Sequence, residues 1–270
     1  MPKIDKRLWH DPFTRCGLRL PATTGQEGFQ IHEAGLLTLD EHWLHQDVCS
    51  PFWRLFYDFN RGAWVKSAGE RYALGPGRLV VIPDGVPFDC GSQRGVQHLW
   101  LHFSLYLTLP EVAPKVYALP AGPALRAVAS ALRAAVAARK TAEVRHTASA
   151  IIHLVFAGSR VMPEAMPERL RASCGWIERN LGGEISNAAL AERAGMSVEA
   201  FIRWFKARTG RTPAAFVTER RVREACRRLA FGEESIEQVA EATGFANRHH
   251  FSRVFKQYAG CGPAGFRRGR

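Results

Sequence analysis

Two stretches near the C-terminus repeat one pattern of aromatic and basic residues, and the charged members of that pattern could bind an anion. Residues 201–216 and 251–266 both fit the template F-x-R-x-F-K-x-x-x-G-x-x-P-A-x-F. The two leading phenylalanines are four residues apart in each copy, so they share one face of a helix. Arg203 and Arg253 lie between the phenylalanines in sequence and therefore project away from that face. The pattern predicts two helices, each with a buried aromatic side and an outward guanidinium.

The residues after each basic motif predict where its helix ends and the next one begins. Gly210 and Gly260 fit the position just after a helix, where a positive φ is needed. Pro213 and Pro263 suit the first turn of a new helix, and Thr212 suits the N-cap of the first copy. Each copy therefore predicts a helix, a glycine stop and a proline restart.

A short helix and a tight turn are predicted in front of each copy. The preceding segments are residues 187–197 (NAALAERAGMS) and 235–246 (SIEQVAEATGFA). Each has an alanine where two helices can approach closely and a glycine in the turn. These small residues are Ala191 and Gly195 in the first segment, and Ala240 and Gly244 in the second. A helical repeat packed against itself would also carry solvated arginines, but two copies in register favour a pair of helix-turn-helix units.

The charge balance favours an anionic partner. The 270 residues carry a net charge of +12, and residues 171–270 hold 18 Lys and Arg against 10 Asp and Glu, which is +8 of that total. Such a balance is typical of proteins that bind nucleic acid or a membrane surface. No stretch reaches the roughly 18 apolar residues that span a bilayer, and the first residues lack an apolar signal core. The six cysteines are scattered without a C-x-x-C, which favours reduced thiols in the cytoplasm.

Residues 171–270 resemble the DNA-binding domain of AraC/XylS-type transcriptional regulators. The signature of that domain, F-x-R-x-F-K-x-x-x-G-x-x-P-x-x-[FY]-R, is met by Phe251, Arg253, Phe255, Lys256, Gly260, Pro263, Phe266 and Arg267. The resemblance implies helix-turn-helix units at about 187–209 and 235–259, joined by a linker helix at about 213–230. It also implies sequence-specific binding of double-stranded DNA in two successive major grooves, and activation of transcription through contact with RNA polymerase.

The outward positions of the two recognition helices supply the candidates for DNA contacts. Glutamate can accept a hydrogen bond from cytosine, isoleucine can contact a thymine methyl group, and arginine can form two hydrogen bonds with guanine. The base-contact candidates are Glu199, Ile202, Arg203, Arg248, His249, Ser252 and Arg253. The phosphate-contact candidates are Lys206, Arg208 and Lys256. The turn of the second unit is one residue longer, measured from its glycine to the first phenylalanine, so we expect the two helices to read different half-sites.

The first 110 residues carry short apolar runs separated by Gly and Pro, which predicts a β-rich domain built as a small barrel or sandwich. Residues 96–105 (VQHLWLHFSL) alternate in character, with Leu99, Leu101, Phe103 and Leu105 on one side of a strand. Residues 77–88 (GRLVVIPDGVPF) resemble the second metal-binding motif of cupin barrels, with Phe88 in the place of the metal-ligating histidine. The resemblance implies a cupin-like, effector-binding barrel that holds no metal and no other cofactor.

Histidines and aromatic residues of the N-terminal half supply further candidates for a site. His42, His45 and Cys49 could hold a metal, as could His98 with His102, but neither group has a convincing further ligand. We therefore expect no metal site and no catalytic residue. Aromatic side chains in a barrel can stack on a sugar ring, although they can also be core residues. The effector-binding candidates are Trp43, Trp53, Tyr57, Trp64, His98 and His102, and we expect a small-molecule effector with carbohydrates as the leading class.

Two helices are predicted between the barrel and the C-terminal domain. One carries an apolar stripe that could pack on the barrel or pair with a second copy in a homodimer. The stripe consists of Leu125, Val128, Leu132 and Val136. The predicted domains are residues 1–160 for effector binding and dimerisation, residues 161–170 as a linker, and residues 171–270 for DNA binding.

The sequence thus predicts a ligand-responsive transcriptional activator that is not an enzyme. Two other interpretations stay open. An enzyme with a DNA-targeting module would be either a metal-dependent cupin, which needs a histidine at position 88, or a methyl-transfer repair protein, which needs clustered N-terminal cysteines. A binding module that recruits RNA polymerase without an effector would carry the same helix-turn-helix units.

Overall fold

The N-terminal half forms two antiparallel sheets. The computed structural model describes residues 17–20, 29–105, 115–157 and 167–268. The strands in these ranges are β1 (Leu18–Arg19), β2 (Phe29–Leu39), β3 (Leu44–Val48), β4 (Trp53–Asp58), β5 (Trp64–Ser67), β6 (Glu70–Ala73), β7 (Arg78–Ile82), β8 (Phe88–Gly91), β9 (Val96–Leu105) and β10 (Tyr117–Pro120). One sheet has the order β1-β2-β9-β4-β7-β10 and the other the order β3-β8-β5-β6.

The two faces of β9 belong to two different cores. Leu99, Leu101 and Phe103 are fully buried in the core between the six-stranded sheet and the helices that cover it. Trp100 points the other way, into the core between the two sheets. The alternation predicted for residues 96–105 is therefore confirmed, and this half of the chain is β-rich as predicted. Of the barrel and the sandwich that the sequence left open, the structure shows two sheets with a core between them.

Helices α1 (Pro123–Ala137) and α2 (Thr141–Ala157) cover the outer face of the six-stranded sheet. The predicted stripe on α1 is used within this chain, because Leu125 and Leu132 are buried in that core and Val128 and Val136 pack at its margin. Of the two uses that the sequence left open for the stripe, the structure shows packing on the sheet.

The C-terminal half is helical. Its elements are α3 (Glu168–Arg179), α4 (Asn187–Arg193), α5 (Val198–Thr209), α6 (Pro213–Phe231), α7 (Ile236–Ala242), α8 (Arg248–Ala259) and α9 (Pro263–Arg268). Of the predicted linker, residues 161–170, the first six (161–166) lie outside the described residues, and α3 already begins at Glu168. No helix in the described ranges is long and apolar enough to cross a membrane.

Two small cores share the long helix α6 and repeat one aromatic arrangement. In the first, the ring of Phe205 meets Phe216 edge-on at 5.3 Å. In the second, Phe255 meets Phe266 edge-on, also at 5.3 Å. The N-terminal part of α6 thus completes the first core and its C-terminal part the second. This arrangement ties both helix-turn-helix units to one rigid rod.

The predicted stops and starts of these helices are confirmed. Gly210 and Gly260 end α5 and α8 with φ values of 72° and 77°, a region that strains any residue with a Cβ. The Thr212 hydroxyl caps α6 by accepting a hydrogen bond from the Ala215 amide at 3.3 Å. Because each helix is bounded by its own local sequence, the repeat fixes the direction in which α5 and α8 leave their turns.

Candidate nucleic-acid interface

Helix α5 of the first unit presents a polar face to solvent. Phe201 and Phe205 are fully buried, which fixes the rotation of the helix. Glu199 and Arg203 are consequently exposed, and Ile202 is half-buried at the edge of the same face. The helix begins at the Ser197 cap, whose hydroxyl accepts from the Ala200 amide. All three base-contact candidates of this unit therefore lie on or beside its outward side.

Helix α8 of the second unit presents the corresponding face. Arg248, His249 and Arg253 are exposed, and Ser252 is half-buried. His250, which the sequence interpretation passed over, is exposed as well, and its ring contacts Phe245 edge-on at 5.7 Å. Its place in the first turn of the helix, beside two candidates, was the signal that could have identified it.

The extra residue of the second unit lies in the turn and leaves the helix register unchanged. Four residues separate α4 from α5 (194–197), and five separate α7 from α8 (243–247). The first phenylalanine is the fourth residue of both recognition helices. Outward positions therefore correspond pairwise, and they are Glu199 with His249, Ile202 with Ser252, and Arg203 with Arg253. The two helices present the same geometry with different chemistry.

The phosphate-contact candidates lie in the second half of each recognition helix. Lys206, Arg208 and Lys256 are all exposed. Within the described residues none of them forms an ion pair with an acidic side chain. Their charges are therefore available to an external anion.

Helix α6 also carries a charged face that packs against the N-terminal sheets. The buried Arg220 donates from Nη2 to the Leu105 carbonyl at 2.9 Å and forms an ion pair with Glu178. Arg223 forms an ion pair with Asp84, in the turn after β7. Burial lowers the pKa of Arg223 to about 10 and raises the pKa of Glu178. These arginines belong to an internal contact, so part of the basic excess of this half does not face DNA.

The end of α6 rests on an aromatic surface of the sheets. Phe231 stacks on His32 with ring centroids 5.5 Å apart and contacts Phe52 at 5.4 Å. Its carbonyl accepts a hydrogen bond from Arg19 Nη1 at 2.8 Å. Burial lowers the pKa of His32 well below its ordinary value, and the nearby charge of Arg227 adds to this. The His32 ring is therefore neutral where it meets Phe231.

The four aromatic effector candidates lie in different environments. Trp53 and Tyr57 are buried under the helix layer, where Trp53 contacts Phe156 of α2 edge-on at 5.9 Å. Trp43 packs at the margin of the core between the sheets. Trp64 pairs with Gly91 on the four-stranded sheet and is half-buried. The structure does not bring these four rings together into one sugar-stacking surface, because they belong to different layers of the domain.

The two histidine candidates are buried and already have carboxylate partners. His98 Nδ1 lies 2.6 Å from Asp58 Oδ1, and His102 Nδ1 lies 3.3 Å from Glu33 Oε2. Although burial raises the pKa of Glu33, hydrogen bonding to His102 holds it below its ordinary value. His98 and His102 are thus buried side chains, each beside a carboxylate.

No cluster of three metal-ligating side chains occurs in the ranges that the structure covers. Phe88, at the place of the cupin histidine, is buried, and its ring meets Phe56 edge-on at 6.1 Å. The phenylalanine therefore fills this position with core packing. Neither His42 with His45 nor His98 with His102 gathers a third ligand there.

Comparison with known proteins agrees with this geometry. A helix-turn-helix domain model matches residues 190–269. The HTH-type transcriptional activator RhaS of Pectobacterium carotovorum subsp. carotovorum (strain PC1) is 33% identical over 98 residues, which cover 36% of this chain and 35% of RhaS. RhaS of Escherichia coli (strain SE11) is 30% identical over 107 residues, covering 40% of this chain and 38% of that protein. The chain thus spans little more than a third of the length of these relatives.

One solved structure aligns with nearly the whole chain. An apo ToxT variant from Vibrio cholerae strain SCE256 covers 92% of this chain and 98% of its own, with a TM-score of 0.50 and 14% identity. This likeness concerns the fold alone. Fold and exposed helices together define a two-domain protein that ends in a double helix-turn-helix domain. The match with the family model assigns residues 190–269 to a helix-turn-helix domain.

Proposed function

We propose that this protein binds a specific double-stranded DNA sequence through α5 and α8 and thereby activates transcription. The observation that carries the proposal is the pair of outward basic faces, held in the same register at the two ends of one helix. The RhaS relatives are described as transcriptional activators, and activation is carried over from them. Contact with RNA polymerase belongs to the same proposal.

The length of α6 supports a two-groove mode of binding. Its 19 residues give a rod of roughly 28 Å at 1.5 Å per residue. Recognition helices that enter successive major grooves on one face of a duplex are about 34 Å apart. The rod, together with the width of the flanking units, is suited to that spacing. Because paired outward positions differ in chemistry, the two half-sites have different sequences.

The N-terminal domain is proposed to sense a small-molecule effector. The support is the direct packing of its sheets on α6, through the contacts of Arg220, Arg223 and Phe231. The same helix completes the cores that hold both recognition helices. The scattered aromatic candidates give no support to a sugar-stacking surface, so the proposal names no carbohydrate. A homodimer is proposed as well, although the α1 stripe is already used within the chain.

Selection from a pool of random duplexes tests the proposed function. The full chain should enrich one bipartite sequence, and the affinity for it should fall steeply as salt increases, because bound phosphates release counterions. A variant with Arg203→Ala and Arg253→Ala should bind the selected duplex more weakly and enrich sequences in which the preference is relaxed at one base pair in each half. Equal recovery of all duplexes by the unmodified chain would overturn the proposal.

A further inference from the structure

An open groove of about 460 Å³ lies on the N-terminal domain, and Trp64 is the one effector-binding candidate among its lining residues. It is formed by the start of β5, the end of β6 and the glycine-rich turn before β7. Its lining includes Arg61, Trp64, Arg71 and Arg78, with the backbone of residues 75–77 as one wall. None of the lining residues is acidic. Its volume lies in the range of small-molecule sites, roughly 300–1,000 Å³.

The three guanidinium groups of this groove have no internal counter-ion. Arg61, Arg71 and Arg78 are exposed, and in the described ranges none of them forms an ion pair with a carboxylate. The arginines at the contact between the sheets and the helical domain behave differently, because Arg19 pairs with Glu233 and Arg223 with Asp84. Three uncompensated like charges around one groove produce a positive potential that attracts an anion.

Trp64 holds one of the three guanidiniums in place. The Arg71 guanidinium lies over the Trp64 ring, 4.3 Å from its centre. The ring itself lies against the backbone of Gly91, where a Cβ would come within 2.7 Å of it. The indole is thus fixed between the strand and the arginine. A guanidinium stacked on a fixed ring loses less rotamer freedom when it binds an oxyanion.

We propose that this groove binds a small phosphomonoester. Planar guanidiniums match the oxygens of a phosphate with paired hydrogen bonds, and three of them suit a dianion. The apolar part of the wall, from Leu74 and Pro76, would contact the organic part of the molecule. Binding itself does not depend on DNA, whereas the regulatory role of the ligand rests on the proposed function.

Calorimetric titration of the full chain without DNA tests the site. The probes are inorganic phosphate and glucose 6-phosphate, with glucose as the neutral counterpart. We expect saturable binding of both phosphates, no binding of glucose, and at least about a tenfold loss of affinity in the double variant Arg61→Gln, Arg71→Gln. Arg94→Gln, a matched change at another exposed arginine, should keep the affinity of the unmodified chain. Circular dichroism checks that each variant is folded.

Two results would overturn the proposal. One is the absence of saturable binding of either phosphate, and the other is an equal loss of affinity in the Arg94→Gln protein. If the double variant instead weakens duplex binding while phosphates do not bind, the groove contacts DNA and the small-ligand assignment is wrong. Phosphate binding by a chain that selects no DNA sequence would leave this site standing and contradict the proposed function alone.

Discussion

At the scale of single residues, the two recognition helices agree in their anchors and differ in the side chains between them. The phenylalanines, Arg203 with Arg253, and Lys206 with Lys256 occupy the same positions in the two helices. The first outward turn carries Glu199 in one helix and His249 in the other, both exposed. Under the proposed function, we expect sequence specificity to come from the few positions that differ, while the lysines contribute charge that binds the phosphates of any sequence.

Truncation of Arg253 and truncation of Lys256 should affect DNA binding in different ways. Arg253→Ala should cost about 1–3 kcal/mol of binding to the selected duplex and relax preference at one base pair, because a bidentate base contact is lost. Lys256→Ala should weaken all duplexes alike and reduce the salt slope by about 1, because one phosphate contact is lost. Affinity measured on matched and single-mismatch duplexes separates the two. Identical, sequence-independent losses would show that Arg253 binds the backbone.

His32 should make stability depend on pH. Burial and the charge of Arg227 lower its pKa, so below about pH 6.5 the unfolded chain binds more protons than the folded chain. The stability contributed by the neutral ring is complete above that pH and is lost as the pH falls below it. Between about pH 7.5 and pH 5.5, the Tm of the unmodified protein should fall more than that of His32→Asn. The exposed His42→Asn control should keep the unmodified slope, and equal slopes in all three proteins would contradict the account.

At the scale of elements, the helices of the C-terminal half could be predicted almost to the residue because their boundaries are local. The glycine after each recognition helix, the proline of the next and the capping side chains act over a few positions, and the structure places them as expected. Which residues of β9 share a face could also be predicted, because the alternation that determines it is local in sequence. The layer that each face meets is set by distant segments, so the sequence does not show that Trp53 and Tyr57 lie under α1 and α2.

Glycine should be required at position 210, where α5 ends, only because the backbone there has a positive φ. Gly210 has a φ of 72°, and an added Cβ would meet no atom within 4 Å. Gly210→Ala should therefore lower the free energy of unfolding by about 1–2 kcal/mol through left-handed strain. Gly265→Ala, in α9 and equally free of neighbours, should be neutral or stabilising by up to about 1 kcal/mol, since alanine favours a helix. Chemical denaturation of the two variants distinguishes them, and equal effects would contradict the assignment.

At the scale of the whole molecule, α6 connects three bodies: two helix-turn-helix units and the paired sheets. The sequence predicts its length but not its contacts with the sheets, because partners such as Leu105 and Asp84 are more than 100 residues away. Arginines that add to the basic character of this half are thereby neutralised internally. Asp84 and the aromatic surface under Phe231 therefore contact the same helix that joins the two helix-turn-helix units.

Removing only one partner of the buried Arg220–Glu178 ion pair should strongly reduce the stability of the fold. Arg220→Ala leaves the Glu178 carboxylate buried without its partner, and we expect a loss of about 3–5 kcal/mol of stability. The double variant Arg220→Ala, Glu178→Gln removes the stranded charge and should lose less than the single variant. Denaturant unfolding followed by tryptophan fluorescence measures both. A double variant as unstable as the sum of two single variants would show that the pair is not coupled.

The spacing of the DNA contacts tests the central claim most directly. Hydroxyl-radical and methylation-protection footprints of the full chain on its selected duplex should show two major-groove windows, about 10–10.5 base pairs apart, on one face of the helix. Arg203→Ala should weaken protection in one window only, and Arg253→Ala in the other only. A single window, or two windows that weaken together in both variants, would contradict the account of two recognition helices held by one rigid helix.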